Sequence, residues 1–322
     1  MRVFVTGAAG FIGYHSSRKL LDAGHDVFGF DNLNDYYSPA FKHARLDILA
    51  RYDRFSFARG DIGDEAALTK AWKGFMPDTV LHLAAQAGVR YSLENPRTYI
   101  HSNLVGFQNV IELARETRPN NLVYASSSSV YGGNERLPFR ETDDVSKPIS
   151  LYAASKISNE LVARTYGHLF KLPTTGLRFF TVYGPYGRPD MALFKFAKAI
   201  RAGEPIDVYN NGKMVRDFTY IDDIVAGVMA CLTKPQIGQV YNLGRGQQVD
   251  LLRMIEVLEE RLGKKSTRHM LPMQAGDVEA TLSDVSKART ELGYDPKVTI
   301  EEGVSRFVDW FLSGTLPDEA QR

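Results

Sequence analysis

Short apolar runs alternate with amphipathic stretches through the first half of the chain. "RVFVTG" opens the series, with helical periodicity from about Phe11 to Ala23, followed by "DVFGFD". "RFSFARGD", "DTVLHLAA", "NLVYASSSS" and "TTGLRFF" continue it, and helices are predicted near Glu65 to Trp72, Pro96 to Glu116 and Leu151 to Leu169. Runs that are apolar throughout, rather than alternating, read as strands covered on both faces. Their alternation with helices makes those strands parallel. The predicted fold is α/β: a doubly wound parallel, Rossmann-type sheet whose C-terminal strand ends share one edge, where ligands collect.

After about Phe180 the pattern changes. Gly, Pro and Asn cluster in "VYGPYGRPD" and "YNNGK", which predicts a smaller α+β C-terminal substrate domain. "VRDFTYIDDIVAGVMACL" and "QVYNLG" have strand–helix–strand character. The expected division is 1–180 for dinucleotide binding, rejoined by about 215–243, and 181–322 for a discontinuous second part.

Composition narrows the function. With 44% hydrophobic and 24% charged residues and a net charge of +1, the chain has no general attraction for nucleic acid or an anionic membrane. Its single cysteine, Cys231, lies in an apolar helical run and fits a cytoplasmic protein. Neither secretion nor membrane spanning is expected, since "RVFVTG" begins at once and no apolar run is long enough. No His/Cys cluster has metal-site spacing, so no metal is expected.

"VFVTGAAGFIG" places Gly7, Gly10 and Gly13 between the first strand and the first helix. Glycines there permit the tight turn, the approach of backbone N–H groups to a pyrophosphate, and close helix–strand packing. Phe11 and Ile12 open the helix beneath that site. Asp31 ends the second strand and can accept both adenosine ribose hydroxyls, which favours NAD over its 2′-phosphate; Asn32 follows it. Asp61, ahead of Ile62, reads either as an adenine contact or as a helix cap. Leu83, Ala84 and Ala85 of "HLAAQAG" bring backbone near the cofactor, and His82 reads as a packed strand residue.

"SLYAASK" sets Tyr152 and Lys156 four apart, on one face of a predicted helix. A phenol is a poor base at neutral pH, and a neighbouring ammonium stabilises the phenolate. Such a pair can take a proton from a sugar hydroxyl, with Lys156 also holding the nicotinamide ribose.

With these motifs the chain resembles the extended short-chain dehydrogenase/reductase family of NAD-dependent nucleotide-sugar epimerases and dehydratases, over almost its full length. Within it, "DNLNDYY", "HLAAQAGVRYSLENP", "ASSSSVYG", "RFFTVYGPYGRPDMA" and "VRDFTYIDD" are similar to enzymes that epimerise UDP-glucuronate at C4. The resemblance implies that Ser127 completes a catalytic set with Tyr152 and Lys156. Related dehydratases carry an acidic pair at the positions of Ser128 and Ser129, and related uronate decarboxylases carry Glu at the latter. Serine at both implies epimerisation with the sugar's acid retained. Ser128, Ser129 and Thr181 are then expected to donate to the substrate carboxylate, with Arg188 holding the surrounding loop or the acid itself. Arg90 is a second cationic candidate. At the nucleotide end the resemblance assigns Arg216 to phosphate, Asp277 to ribose, and Val208 and Asn210, through backbone groups, to the uracil.

The resemblance implies as partners a UDP-sugar and, through helices near 96–116 and 151–169 that match those pairing in related enzymes, a second copy of the chain. Alternative readings are a UDP-glucuronate decarboxylase, a UDP-glucose 4-epimerase, or a non-catalytic NAD-binding sensor. Ser129 stands against the first and Thr181 against the second. The intact Tyr152/Lys156 pair argues against the third.

Overall fold

A computed structural model describes residues 1–274 and 276–315. Seven parallel strands form one sheet: β1 (Arg2–Thr6), β2 (Asp26–Asp31), β3 (Phe55–Arg59), β4 (Thr79–His82), β5 (Asn121–Ser127), β6 (Thr174–Phe179) and β7 (Gln239–Leu243). Their spatial order is β7-β6-β5-β4-β1-β2-β3. The order reverses direction at β1 and β4, where the C-terminal strand ends diverge and leave a crevice. Register follows from burial on both faces: Val3, Phe4 and Val5 of β1 are fully buried, as are Val80 and Leu81 of β4.

Helix α1 (Phe11–Asp22) follows β1, and α2 (Pro39–Leu49) follows β2. Helix α3 (Glu65–Phe75) is capped by Asp64, whose side chain accepts from the Ala67 N–H at 3.0 Å. Asp61 is therefore not that cap. The helix expected from Pro96 to Glu116 is instead a short turn, a π-helix over Ile100–Val105, and α4 (Gly106–Thr117). The wider turn leaves the Asn103 carbonyl for the Asn159 side-chain amide at 2.7 Å. Helix α5 (Leu151–Phe170) supplies that amide, and α6 (Ile221–Thr233) precedes β7.

The later part of the chain has its own apolar cluster, with Leu193, Phe194, Ile200, Met254, Leu258, Phe307 and Phe311 at its centre. Phe11 and Phe41 join this cluster from α1 and α2. Three two-stranded ribbons accompany it, pairing Thr181–Tyr183 with Phe218–Tyr220, Val215–Arg216 with Val249–Asp250, and Ile206–Val208 with Arg268–Met270. No helix among the described residues is long and apolar enough to cross a membrane.

Candidate active site

A cavity of about 470 Å³ runs along the crevice. At one end it is lined by Gly7, Gly10, Phe11, Ile12, Gly13, Asp31 and Asn32; Ile62, Leu83, Ala84 and Ala85 line its flank. At the other end lie Ser127, Ser128, Ser129, Tyr152, Lys156, Thr181 and Arg188. A smaller cavity of about 140 Å³ shares Ser128, Ser129, Thr181 and Asp277 with the first and reaches Arg216. The two cavities thus adjoin at the sugar end.

The glycine turn has the close approaches that a dinucleotide requires. Gly7 has φ +71°, and a Cβ on Gly13 would stand 2.0 Å from the Gly7 carbonyl oxygen. Gly10 caps α1 without a side chain, and no acid occupies the first turn of the helix. The N–H end of the helix is therefore open to an anion. Backbone N–H groups of Ala9 and Leu33 hold the two oxygens of Asp31, at 3.1 and 2.9 Å. A carboxylate has about four acceptor sites, so ribose hydroxyls can still be met. These residues fit NAD. Asp61 stands behind the lining, accepting from Asn32, the Gly63 N–H and His101. His82 is buried against Thr6 and pushed down to about 3 by burial and then by the charge of Lys156, so it is neutral.

The strand–helix junctions explain the catalytic end. Strand β5 ends at Ser127, whose hydroxyl accepts the Ser129 N–H at 3.2 Å and turns the chain into a 3₁₀ turn over Ser128–Tyr131. Ser150 caps α5 on the Ala153 N–H at 3.1 Å, which starts the helix just before Tyr152. Tyr152 is hydrogen-bonded to Ser127; burial pushes its phenol up, while that bond and the Arg188 charge draw it down. The Lys156 ammonium differs from expectation. It donates to the Ala125 carbonyl at 2.8 Å, so the helix spacing aligns it with Tyr152 but the end of β5 takes its proton bond. Burial lowers it to about 8, and the Glu160 carboxylate opposes the fall.

Other expected groups are already paired. Arg188 holds Asp190 through Nε at 3.0 Å and Nη2 at 2.5 Å, with the Tyr36 ring 5.6 Å from its guanidinium carbon. It therefore secures its own loop while lining the cavity. Asp277 lies between Arg216 at 2.8 Å and Arg90 at 3.6 Å. Arg90 also faces the Tyr209 ring. Val208 and Asn210 do not line either cavity. Val208 is fully buried with its carbonyl bonded to the Leu271 N–H, and Asn210 bends back to the Lys213 carbonyl from a left-handed φ of +52°.

Several residues that the motifs did not single out complete the surroundings. Glu160, one further turn along α5 from Lys156, pairs with Arg178 at 2.7 Å and accepts from Ser126 at 2.5 Å. Its i+4 spacing from Lys156 was a readable signal. Asn103 bonds the Gln86 carbonyl and Ser155, tying the loop after β4 to α5. Tyr99 stands 6.1 Å from the Tyr152 ring, edge to face. Lys42 lines the cavity and donates to the Asn34 carbonyl and side chain, both at 2.7 Å. No three His, Cys, Asp or Glu side chains among the described residues converge to hold a metal.

The family model described as the NAD dependent epimerase/dehydratase family matches residues 3–244. An uncharacterized protein of Methanocaldococcus jannaschii is 53% identical over 312 residues, 96% of each chain. UDP-glucuronate 4-epimerase 4 of Arabidopsis thaliana is 46% identical over 329 residues, which are 97% of this chain and 75% of that protein. The crystal structure of UDP-glucuronic acid 4-epimerase from Bacillus cereus, in complex with UDP-glucuronic acid and NAD, superposes with a TM-score of 0.91 at 35% identity. That likeness covers 96% of this chain and 98% of the other. Sequence, cavity and overall shape thus agree, and this chain belongs to the NAD dependent epimerase/dehydratase family.

Proposed function

We propose that this protein interconverts UDP-glucuronate and UDP-galacturonate by inverting C4. The observation that carries the reading is the set of three uncharged hydroxyls, Ser128, Ser129 and Thr181, where the two cavities meet; the one acid beside them, Asp277, is paired with Arg216 at 2.8 Å. It is supported by the curated relatives called UDP-glucuronate 4-epimerases and by the Bacillus cereus complex.

The glycine turn, Asp31, Tyr152 and Lys156 would hold NAD, which when bound would supply reversible hydride acceptance at C4. Tyr152 takes the C4 hydroxyl proton through the position that Ser127 shares with it, and gives it back at the close of the cycle. The buried Lys156 ammonium keeps a positive charge at the cofactor end of this pair. Between the two proton transfers the sugar is a β-keto acid. It loses carbon dioxide when its C–CO₂ bond aligns with the carbonyl π system. Hydroxyl donors at Ser128, Ser129 and Thr181 hold the carboxylate away from that alignment without repelling it.

Asp61 is read as the adenine-side acceptor and Arg216 as the diphosphate contact, released from Asp277 when the nucleotide ribose takes that carboxylate. Arg90 then stays with Asp277. Residues 1–180 with β7 form the cofactor half, and the remainder forms the nucleotide-sugar half. Ile100, Val105 and Leu161, exposed on the π-helix and α5, suit pairing with a second copy in a cytoplasmic homodimer. Size-exclusion chromatography with light scattering checks this, with twice the chain mass expected.

Purified protein incubated with UDP-glucuronate, without added reductant, is expected to yield UDP-galacturonate. UDP-xylose as main product would overturn the assignment. The pH profile is a second check. The cycle needs Lys156 charged, and its folded-state value of about 8 means that kcat/KM falls as pH rises through that value. An alkaline limb beyond the ordinary lysine range of about 10.4 would contradict this.

A further inference from the structure

Arg45 of α2 is fully buried, and every acceptor it meets among the described residues is neutral. Burying a guanidinium with no counter-charge is costly unless its N–H groups are all engaged. Here they make five bonds. Nη1 reaches the Ala9 carbonyl at 2.8 Å and the Tyr37 hydroxyl at 2.7 Å. Nε and Nη2 take the Tyr186 carbonyl at 3.1 and 2.8 Å, and Nη2 also takes that of Gly187 at 3.2 Å. One side of the fork thus grips the glycine turn and the other grips the loop after Tyr183.

That loop is shaped to present its carbonyls inward. Gly184 and Tyr186 have φ of +148° and +56°, and the Pro185 carbonyl lies 2.8 Å from His15 Nε2 on α1. Three successive carbonyls are therefore anchored to the cofactor side of the crevice. The next residue is Arg188, whose bidentate pair with Asp190 leaves its guanidinium on the sugar end of the cavity.

We propose that Arg45 is a positioning residue for uronate recognition, locking the 184–188 loop to the glycine turn and so fixing where the Arg188 guanidinium meets the substrate's acid. This rests on the UDP-glucuronate reading above and adds Arg188, which lines the same cavity, to the three hydroxyls as a contact of the acid. It assigns selectivity between acidic and neutral sugars to a residue that lines neither cavity.

The test is calorimetric binding to the NAD-bound full chain, in a Tyr152→Phe background to prevent turnover. UDP-glucuronate is compared with UDP-glucose, which differs only in bearing a hydroxymethyl in place of the acid. Arg45→Lys keeps the charge but cannot span both anchors. It is expected to weaken UDP-glucuronate by about tenfold or more and UDP-glucose by less than about twofold, and to add nothing once Arg188→Ala is present. Melting temperature and bound NAD report whether the variant is folded. If it is not, His15→Ala, which frees only the Pro185 carbonyl, is expected to give the same selective loss at about threefold. Equal losses for both sugars, no loss in a folded variant, or a full loss added to that of Arg188→Ala would overturn the proposal. Failure of the uronate reading shows separately: the parent chain would then bind UDP-glucuronate no better than UDP-glucose.

Discussion

Replacing Tyr152 by Phe is expected to cut turnover of UDP-glucuronate by about 10²–10⁴-fold while leaving the fold and ligand binding in place. The change removes one oxygen, the group hydrogen-bonded to Ser127, and keeps the ring that meets Tyr99 edge to face at 6.1 Å. Two titratable groups outside the lining are already engaged. His82 is buried on Thr6, and Asp190 is committed to Arg188. Steady-state rates with a melting curve as control check the expectation. Turnover within about tenfold of the parent would mean that the proton leaves by another group.

The second large effect is on stability. Glu160 and Arg178 form a pair in which both side chains are almost wholly buried, at 9% and 3% exposure. Arg178 Nη1 also reaches the Tyr131 hydroxyl at 3.0 Å, and Tyr131 in turn bonds Asn242 of β7. Removing one partner strands the other charge, a loss of about 3–5 kcal/mol. For Glu160→Ala that corresponds to a melting temperature lower by on the order of 10 °C. The double change Glu160→Leu with Arg178→Met is expected to lose less than either single change, because no charge is left unpaired. Calorimetric melting decides: a double variant as weak as the sum of the singles would show that packing, not charge, governs the site. In Glu160→Ala the alkaline limb of kcat/KM moves below about 8, since Glu160 no longer opposes the lowering of Lys156.

The two effects separate what was legible in the sequence from what was not. The parallel sheet and the serines at its crevice edge follow from local pattern. An apolar run such as "NLVYA" has only one environment in an α/β fold, and a serine at its end must face the crevice. The Tyr152/Lys156 spacing likewise fixes a shared helix face. The state of the charges is different, because partners come from distant segments. Lys156 turns to Ala125, and Arg216 to Asp277, across 31 and 61 residues. Periodicity carries no information about such pairs. The π-helix at Ile100–Val105 was invisible for a related reason: "IHSNLVG" has ordinary helical texture, and the wider turn shows only in the folded backbone, where the Gly106 N–H reaches the His101 carbonyl and Asn159 takes that of Asn103. Val208 and Asn210 were placed by resemblance alone. Neither lines the two described cavities, and Asn210 and Asn211 both have positive φ.

The central claim is that hydrogen leaves C4 and comes back to it while the acid stays in place. UDP-glucuronate carrying deuterium at C4 tests this directly, with the product followed by NMR. UDP-galacturonate that keeps both the deuterium at C4 and its carboxylate is the predicted result. Loss of the label to solvent, or release of carbon dioxide in step with substrate consumption, would contradict it.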